Sequence, residues 1–271
     1  AFVQNDNHNP VFYLNSAQSN DKSLVSKSEN RWFTWTLENT ISYEQDFDRH
    51  NIKLLGGISA QQVHFEDLFG AKANLLMTDP QNAWINVGSD EESMRAAGGA
   101  YDEKLLSYFG RASYDFNDKY LLTGILRVDG SSKFGSNNRY AIFPSVSAGW
   151  VLSNEDFMDD ISVINLLKLR ASWGQNGNQN IGNFAYTSTI ATGNGYSFGP
   201  DEQFTTGSIP SSVSNPNLKW ETSEQTDIGI DLGLWEDRLM IRSDYYLKET
   251  KGLLVQAPIP GHVGNNAPVV N

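Results

Sequence analysis

Apolar and polar residues alternate with a period of two along much of this chain, most clearly over residues 105–129. Leu106, Tyr108, Gly110, Ala112, Tyr114 and Phe116 share one parity, and Ser107, Arg111, Ser113 and Asp115 the other. The next run repeats the arrangement, with Tyr120, Leu122, Leu126 and Val128 against Thr123, Arg127 and Asp129. Successive side chains on a strand point to opposite faces, so this stretch predicts a hairpin with one apolar and one polar, charged face. Asn117-Asp118 suits its turn, because both residues tolerate a left-handed backbone.

The same alternation predicts six more strands, over residues 31–43, 52–61, 142–152, 167–173, 221–235 and 239–248. Between them, residues 1–30 and 66–102 lack a period and read as mostly loop. Residues 131–140 form a Gly/Ser/Asn loop, and 175–219 form the longest loop. Residues 154–164 form a compact connection, in which Glu155-Asp156-Phe157-Met158 predicts a helical turn capped by Asn154 or Ser153.

The connections sort by length. Short links at 44–50, 117–118, 154–164 and 236–237 fall at one end of the predicted sheet, and long ones at the other. Such sorting is expected of an outer-membrane barrel with short periplasmic turns and long outer loops; a soluble sandwich has no reason for it. Three short turns place an aromatic beside charge: Phe47-Asp48-Arg49, Phe116-Asn117-Asp118-Lys119 and Trp235-Glu236-Asp237-Arg238. Tyr43, Tyr114, Tyr120 and Trp150 join them at that rim, and Trp35 and Trp173 fall at the opposite one. Aromatic girdles at both membrane interfaces have this form. The predicted fold is therefore all-β, an antiparallel up-and-down transmembrane β-barrel segment, a partial barrel with long extracellular loops. The alternative is a soluble or surface β-sandwich or solenoid, its apolar face buried against a second sheet.

Composition narrows the function classes. The formal net charge is -12, and no basic stripe exists to displace counterions from nucleic acid. Cysteine is absent, which excludes disulfides and thiolate-ligated metals. No apolar run reaches the roughly 18 residues of a membrane helix. The first residues lack the basic start and apolar core of a signal peptide. The pattern beginning at Gly252-Leu253-Leu254-Val255 breaks off without a closing element, so the chain reads as a fragment.

Several motifs also resemble one family. They include Tyr108-Phe109-Gly110-Arg111, Asp118-Lys119-Tyr120-Leu121-Leu122 and the run Arg127-Val128-Asp129-Gly130-Ser131-Ser132-Lys133-Phe134-Gly135. Further along come Phe143-Pro144-Ser145, Asn154-Glu155-Asp156-Phe157 and Leu167-Lys168-Leu169-Arg170-Ala171-Ser172-Trp173-Gly174. Asn215-Pro216-Asn217-Leu218-Lys219-Trp220-Glu221, followed by Gln225-Thr226-Asp227-Ile228-Gly229, is the most specific. In order and spacing these resemble the barrel of SusC-like (SusC/RagA-type) TonB-dependent transporters. The resemblance implies residues 1–271 as an internal part of a barrel of about 22 strands with a plugged lumen. It also implies location in the outer membrane of a Gram-negative envelope, in contact with its lipid, and import of oligosaccharides, peptides or other large nutrients. The implied partners are a SusD-like surface lipoprotein and a TonB complex acting through a plug region. No plug-like domain is recognisable in these residues.

The search for chemistry assigns no catalytic residue, cofactor or metal site. His8, His50, His64 and His262 stand alone, without spacing such as His-Glu-x-x-His. Glu91-Glu92, Asp159-Asp160 and Asp201-Glu202 read as solvated loop charge, which leaves a glycan-processing enzyme only scattered carboxylates. Residues 154–160 lack the Gly and terminal Glu of a calcium loop. Two groups remain. Arg111, Arg127, Asp129, Lys168, Arg170, Asp227, Asp231 and Arg242 fall on polar faces and in a barrel would face the lumen, pairing across strands, gripping a plug or guiding solute. Trp84, Phe184, Tyr186, Tyr196, Phe198 and Phe204 lie in amide- and glycine-rich loops, where rings and amides suit a glycan, a docking partner or loop packing.

Overall fold

The computed structural model describes residues 1–77, 79–199 and 203–271, apart from the side chains of Asn194, Phe198, Gln203 and Val263. Its strands are β1 (Phe2–Asn9), β2 (Phe12–Asn15), β3 (Gln18–Asn20), β4 (Leu24–Phe47), β5 (His50–Leu75), β6 (Gly88–Phe116), β7 (Tyr120–Ser131), β8 (Tyr140–Val151), β9 (Ile164–Asn178), β10 (Ile190–Phe198), β11 (Gln203–Pro210), β12 (Glu221–Leu234), β13 (Leu239–Lys251), β14 (Val255–Gln256) and β15 (Val269–Val270). Nine of them form one sheet in the order β1-β4-β5-β6-β7-β8-β9-β12-β13. No helix among the described residues is long and apolar enough to cross a membrane. The chain divides into two units, residues 1–36 with 61–103 and residues 37–60 with 104–271.

In the first unit, β1 pairs antiparallel with the start of β4, from Phe2 opposite Arg31 to Asn9 opposite Leu24. Residues expected to be loop are thus largely strand, and so are most of residues 66–102. The reason is physical. Both faces of these segments are polar, so no period of two marks them, and ladder hydrogen bonding rather than an apolar face holds them extended. Ser23, Val25, Ala71, Lys72, Ala73 and Ala83 are buried. His64, solitary in the sequence, places Nδ1 2.7 Å from Asp102 Oδ1 and Nε2 3.0 Å from Glu66 Oε1. An ionised carboxylate only accepts, so this geometry suits an imidazole that donates from both ring nitrogens.

In the second unit the eight strands read from the sequence are all present. Phe116 lies opposite Tyr120, and Asn117 and Asp118 both take φ 55°, the left-handed turn expected of them. Trp235, Glu236 and Asp237 adopt the same region at φ 53°, 58° and 62°. Neighbouring turns are hydrogen-bonded to each other. Asn117 N donates to Arg49 O at 2.6 Å, Val151 N to Lys119 O at 2.8 Å and Trp235 N to Val163 O at 3.0 Å. The connection after β8 carries short 3₁₀ turns at Leu152–Asn154 and Asp156–Met158. The expected side-chain cap is absent. Glu155 occupies the cap position of the second turn without a capping bond, and Asn154 Nδ2 donates instead to Asp118 O at 2.9 Å. The long loop after β9 contains the hairpin β10–β11.

The apolar face of this unit is exposed. Leu122, Leu126, Ile142, Ile228, Tyr245 and Leu247 all show more than half their surface. The buried cluster lies elsewhere, where the connections between strands gather: Phe134, Phe143, Ile181, Leu218 and Trp220, with Leu105, Ala141, Ala185, Tyr186, Leu254 and Val269 packed against it. Trp220 stacks tilted on Phe134 at 5.0 Å, meets Phe143 edge-on at 5.6 Å and donates Nε1 to Arg139 O at 3.1 Å. Gly177 makes this possible, since a Cβ there would fall 2.1 Å from the Phe143 ring.

Candidate functional site

Ladder register fixes which polar side chains meet. β7 carries Arg127 and Asp129 on one face, two residues apart, and Arg127 Nε donates to both Asp129 oxygens at 2.8 and 2.9 Å. Its Nη2 donates to Ser107 Oγ of β6 at 2.9 Å, and its guanidinium lies 5.8 Å from the centre of the Phe109 ring. Arg111, two residues on, donates Nε to Ser113 Oγ at 3.2 Å.

A second cluster spans β9, β12 and β13. Arg170 grips Asp231 bidentately, Nε to Oδ2 and Nη2 to Oδ1, both at 2.9 Å, and Nη2 also reaches Asp244 Oδ1 at 2.9 Å. A planar guanidinium is matched to a carboxylate in this fork geometry. Asp231 lies opposite Lys168 on one side and Arg242 on the other, so four of the predicted residues share one neighbourhood. Asp227 accepts from Ser172 Oγ at 3.2 Å and from Gln225 Nε2 at 2.7 Å. The wall is indented here. A concavity of about 310 Å³ is lined by Lys168, Arg170, Ser172 and Asp227 among others, and one of about 670 Å³ by Arg127, Asp129, Gln175, Asn176 and Gln225 among others.

Gly229 leaves room for the Arg170 cluster. A Cβ at this position would stand 2.3 Å from Asp244 Oδ1 and 2.9 Å from Arg170 Nη2. Gly229→Val is therefore expected to cost about 1–3 kcal/mol through overpacking and a broken ion cluster. The control is Gly124→Ala, whose Cβ would meet nothing within 4 Å. Thermal unfolding in detergent reads the difference, and equal midpoints for both variants would remove Gly229 from the argument.

The loop aromatics separate by environment. Trp84 is exposed, and its ring receives Lys27 Nζ at 4.0 Å. Tyr186 packs against the buried cluster and serves the fold. Phe184 is half exposed with φ 60°. Tyr196 and Phe204 project from the β10–β11 hairpin with about 70% of their surfaces open, in adjacent registers and so on opposite faces. The Phe198 side chain, like the pair Asp201-Glu202, lies outside the described residues. With Tyr186 packed inward and Tyr196 and Phe204 on opposite faces, these described rings form no single surface patch.

At the end of the sheet holding the short turns, rings run across four strands. His50 lies 4.8 Å from Phe116, Phe116 lies 6.3 Å from Tyr120, and Tyr120 stacks on Trp150 at 6.3 Å and 15°. Glu155, which the sequence reading left as part of a short helical turn, binds this row. Its Oε1 accepts from Tyr120 Oη at 2.7 Å and from Trp150 Nε1 at 2.9 Å, and Lys119 Nζ reaches its Oε2 at 3.1 Å. Lys119 also bonds Asp156 at 2.9 Å. The hydroxyl, the indole N–H and the ammonium together hold the Glu155 carboxyl below its ordinary range. A depressed folded value means the stabilisation is complete above the unfolded value and is lost as pH falls through the folded one. Trp150 fluorescence is therefore expected to hold steady through the normal carboxylate range and change only below it. Glu155→Gln should abolish that low-pH transition; a transition that persists in this variant rules out Glu155 as its source.

Among the described residues, no group of three His, Cys, Asp or Glu side chains could hold a metal. What the site offers is a wall, apolar on one side and ion-paired on the other, with packed connections at one end and laced turns at the other. Residues 2–271 match the family model "TonB dependent receptor-like, beta-barrel". TonB-dependent receptor P3 of Formosa agariphila is 35% identical over 234 residues, 86% of this chain and 23% of its own length. TonB-dependent receptor SusC of Bacteroides thetaiotaomicron is 41% identical over 165 residues, 60% of this chain and 16% of its own. The solved "Structure of the RagAB peptide transporter" superposes with TM-score 0.82 at 24% identity, over 94% of this chain and 28% of that one, a likeness of fold. This chain thus spans about a quarter or less of the length of these curated relatives. With most of its length in antiparallel strands and one apolar face exposed, it is a partial transmembrane barrel. The chain belongs to the TonB-dependent receptor family, as a SusC-like stretch of its β-barrel.

Proposed function

We propose that residues 1–271 form part of the barrel domain of an outer-membrane importer of large nutrients, oligosaccharide or peptide. Its apolar face meets lipid, and its polar face lines the lumen. The carrying observation is the division of the second unit's faces. Leu122, Leu126, Ile142, Ile228 and Tyr245 stand exposed on one side, while Arg127–Asp129 and Arg170–Asp231–Asp244 pair on the other. A soluble sheet would have to bury that apolar side, whereas a membrane wall leaves it outward.

On this reading Arg111, Arg127, Asp129, Lys168, Arg170, Asp227, Asp231 and Arg242 face the lumen. The Arg127–Asp129 and Arg170–Asp231–Asp244 groups neutralise one another, so their work is to brace the wall and to seat whatever fills it. Contact with nutrient or with a SusD-like lipoprotein falls to the outer connections, where Phe184, Tyr196 and Phe204 are open. Energy arrives from a TonB complex through parts of the protein outside these residues. Of the two nutrient classes, peptide has support in a similar protein, the RagAB peptide transporter.

The test uses the full-length protein. Purified in detergent, it is expected to be folded and monodisperse, to require that detergent, and to shift in native mass spectrometry with oligosaccharides or with peptides. A monodisperse, folded protein in plain buffer would overturn the membrane reading in favour of a soluble binding module.

A further inference from the structure

The connection between β8 and β9 carries apolar residues that no part of the wall or the loop cluster uses. Phe157 is 66% exposed, and Ile161 and Val163 are also open. They lie in a short segment of fixed shape. Met158 N donates to Glu155 O at 2.8 Å, Ile161 N to Met158 O at 2.9 Å and Ile164 N to Ile161 O at 3.2 Å. The segment is tied at both ends, by Asn154 to Asp118 O and by Val163 O to Trp235 N.

The direction in which it folds is set by Glu155. Tyr120 and Trp150 face each other in the β7–β8 ladder on the apolar side of the sheet. Glu155 Oε1 accepts from both, so the connection bends over the apolar side and not toward the polar one. The seat is firm: the side chains of Lys119 and Glu155 keep only 15% and 13% of their surface. The exposed Phe157, Ile161 and Val163 follow in the same connection, directly after the carboxylate that binds the row of rings at Tyr120 and Trp150. Aromatic and apolar side chains at the edge of a membrane wall belong at the headgroup boundary, where ring and chain leave water and polar ends stay wet.

We propose that residues 156–163 form a membrane foot, which rests Phe157, Ile161 and Val163 on the periplasmic leaflet. Its partner is a phospholipid surface of zwitterionic headgroups. Asp156, Asp159 and Asp160 interleave with the apolar residues, and acidic side chains disfavour an anionic surface and prefer the aqueous side. The proposal rests on the membrane placement given above.

The absence of cysteine from these residues makes single-site labelling direct. Nitroxide would be attached at Phe157→Cys and, separately, at Ile161→Cys in the full-length protein with any cysteine outside residues 1–271 replaced by serine, reconstituted in phosphatidylcholine vesicles. Collision with oxygen reports lipid, and collision with a nickel chelate reports water. Leu126→Cys, in the middle of the apolar face, and Glu236→Cys, in a turn, are the reference sites. The foot predicts an oxygen-to-nickel ratio at 157 and 161 several-fold above that at 236 and below that at 126. A ratio equal to that at 236 places the segment in water and overturns the foot. Shielding from both reagents means a protein covers it and overturns the foot equally. If 126 itself is open to nickel or shielded from both, the membrane placement fails first, a result distinguishable from failure of the foot alone.

Discussion

Replacing Trp220 by alanine is expected to lower stability by about 3–5 kcal/mol, the range for deleting a large buried aromatic. The residue is 7% exposed and touches both Phe134 and Phe143, and its indole N–H satisfies Arg139 O. The substitution leaves a cavity and an orphaned carbonyl together. Trp220→Phe keeps most of the packing and loses only the hydrogen bond, so its cost should be nearer 1 kcal/mol. Because the cluster ties the connections to one another, the loss should appear first as faster proteolysis of residues 178–190 and 210–220, with the strands still resistant. An unfolding midpoint in Trp220→Ala equal to that of the parent would contradict this account.

The second large effect contrasts adjacent residues. Leu126 and Ile125 lie on the same strand at the same depth, opposite Pro144 and Ser145 of β8, and point to opposite faces. Leu126→Arg sets a guanidinium on the apolar face and is expected to cost about 2–4 kcal/mol near the bilayer midplane. Ile125→Arg sets it on the polar face opposite Arg111, where the like charge across the ladder should cost no more than about 1 kcal/mol. Unfolding titrations of the two variants in lipid bilayers check this. Equal costs would refute the assignment of faces.

The eight strands were legible because each presents an alternation over seven or more residues, bounded by Asn, Asp and charged turns. Two kinds of feature were not. The outer part of β5 and much of β6 have polar residues on both faces, from Glu66 through Asp102, so periodicity carries no signal and only the partner strand keeps them extended. The buried cluster draws Phe134, Phe143, Ile181, Leu218 and Trp220 from separate segments, so nothing local announces it.

The candidate site was legible to a similar depth. Arg127 with Asp129 follows from their spacing on one strand face, and Arg170 with Asp231 follows from the predicted strand order. Asp244 as third partner, and Gly229 as the space that admits it, need the three-strand register. Glu155 was misread because its partners Tyr120 and Trp150 come from two other strand ends. A cap argument looks only along the local chain.

The bonds between neighbouring turns bear on how such a wall can vary in length over evolution. Arg49 O, Lys119 O and Val163 O each receive an amide from the adjoining turn or strand end, so each hairpin is counted from a shared origin. A one-residue insertion or deletion within β7 would shift that count and exchange the faces, turning Arg127 to the apolar face and Leu126 to the polar one. Changes of two residues restore the faces but still displace the Arg127–Asp129 pair from Ser107. The outer connections carry no such parity. Length differences among related proteins should therefore collect at residues 131–140, 178–190 and 210–220, while residues 116–120 and 234–239 keep a fixed length.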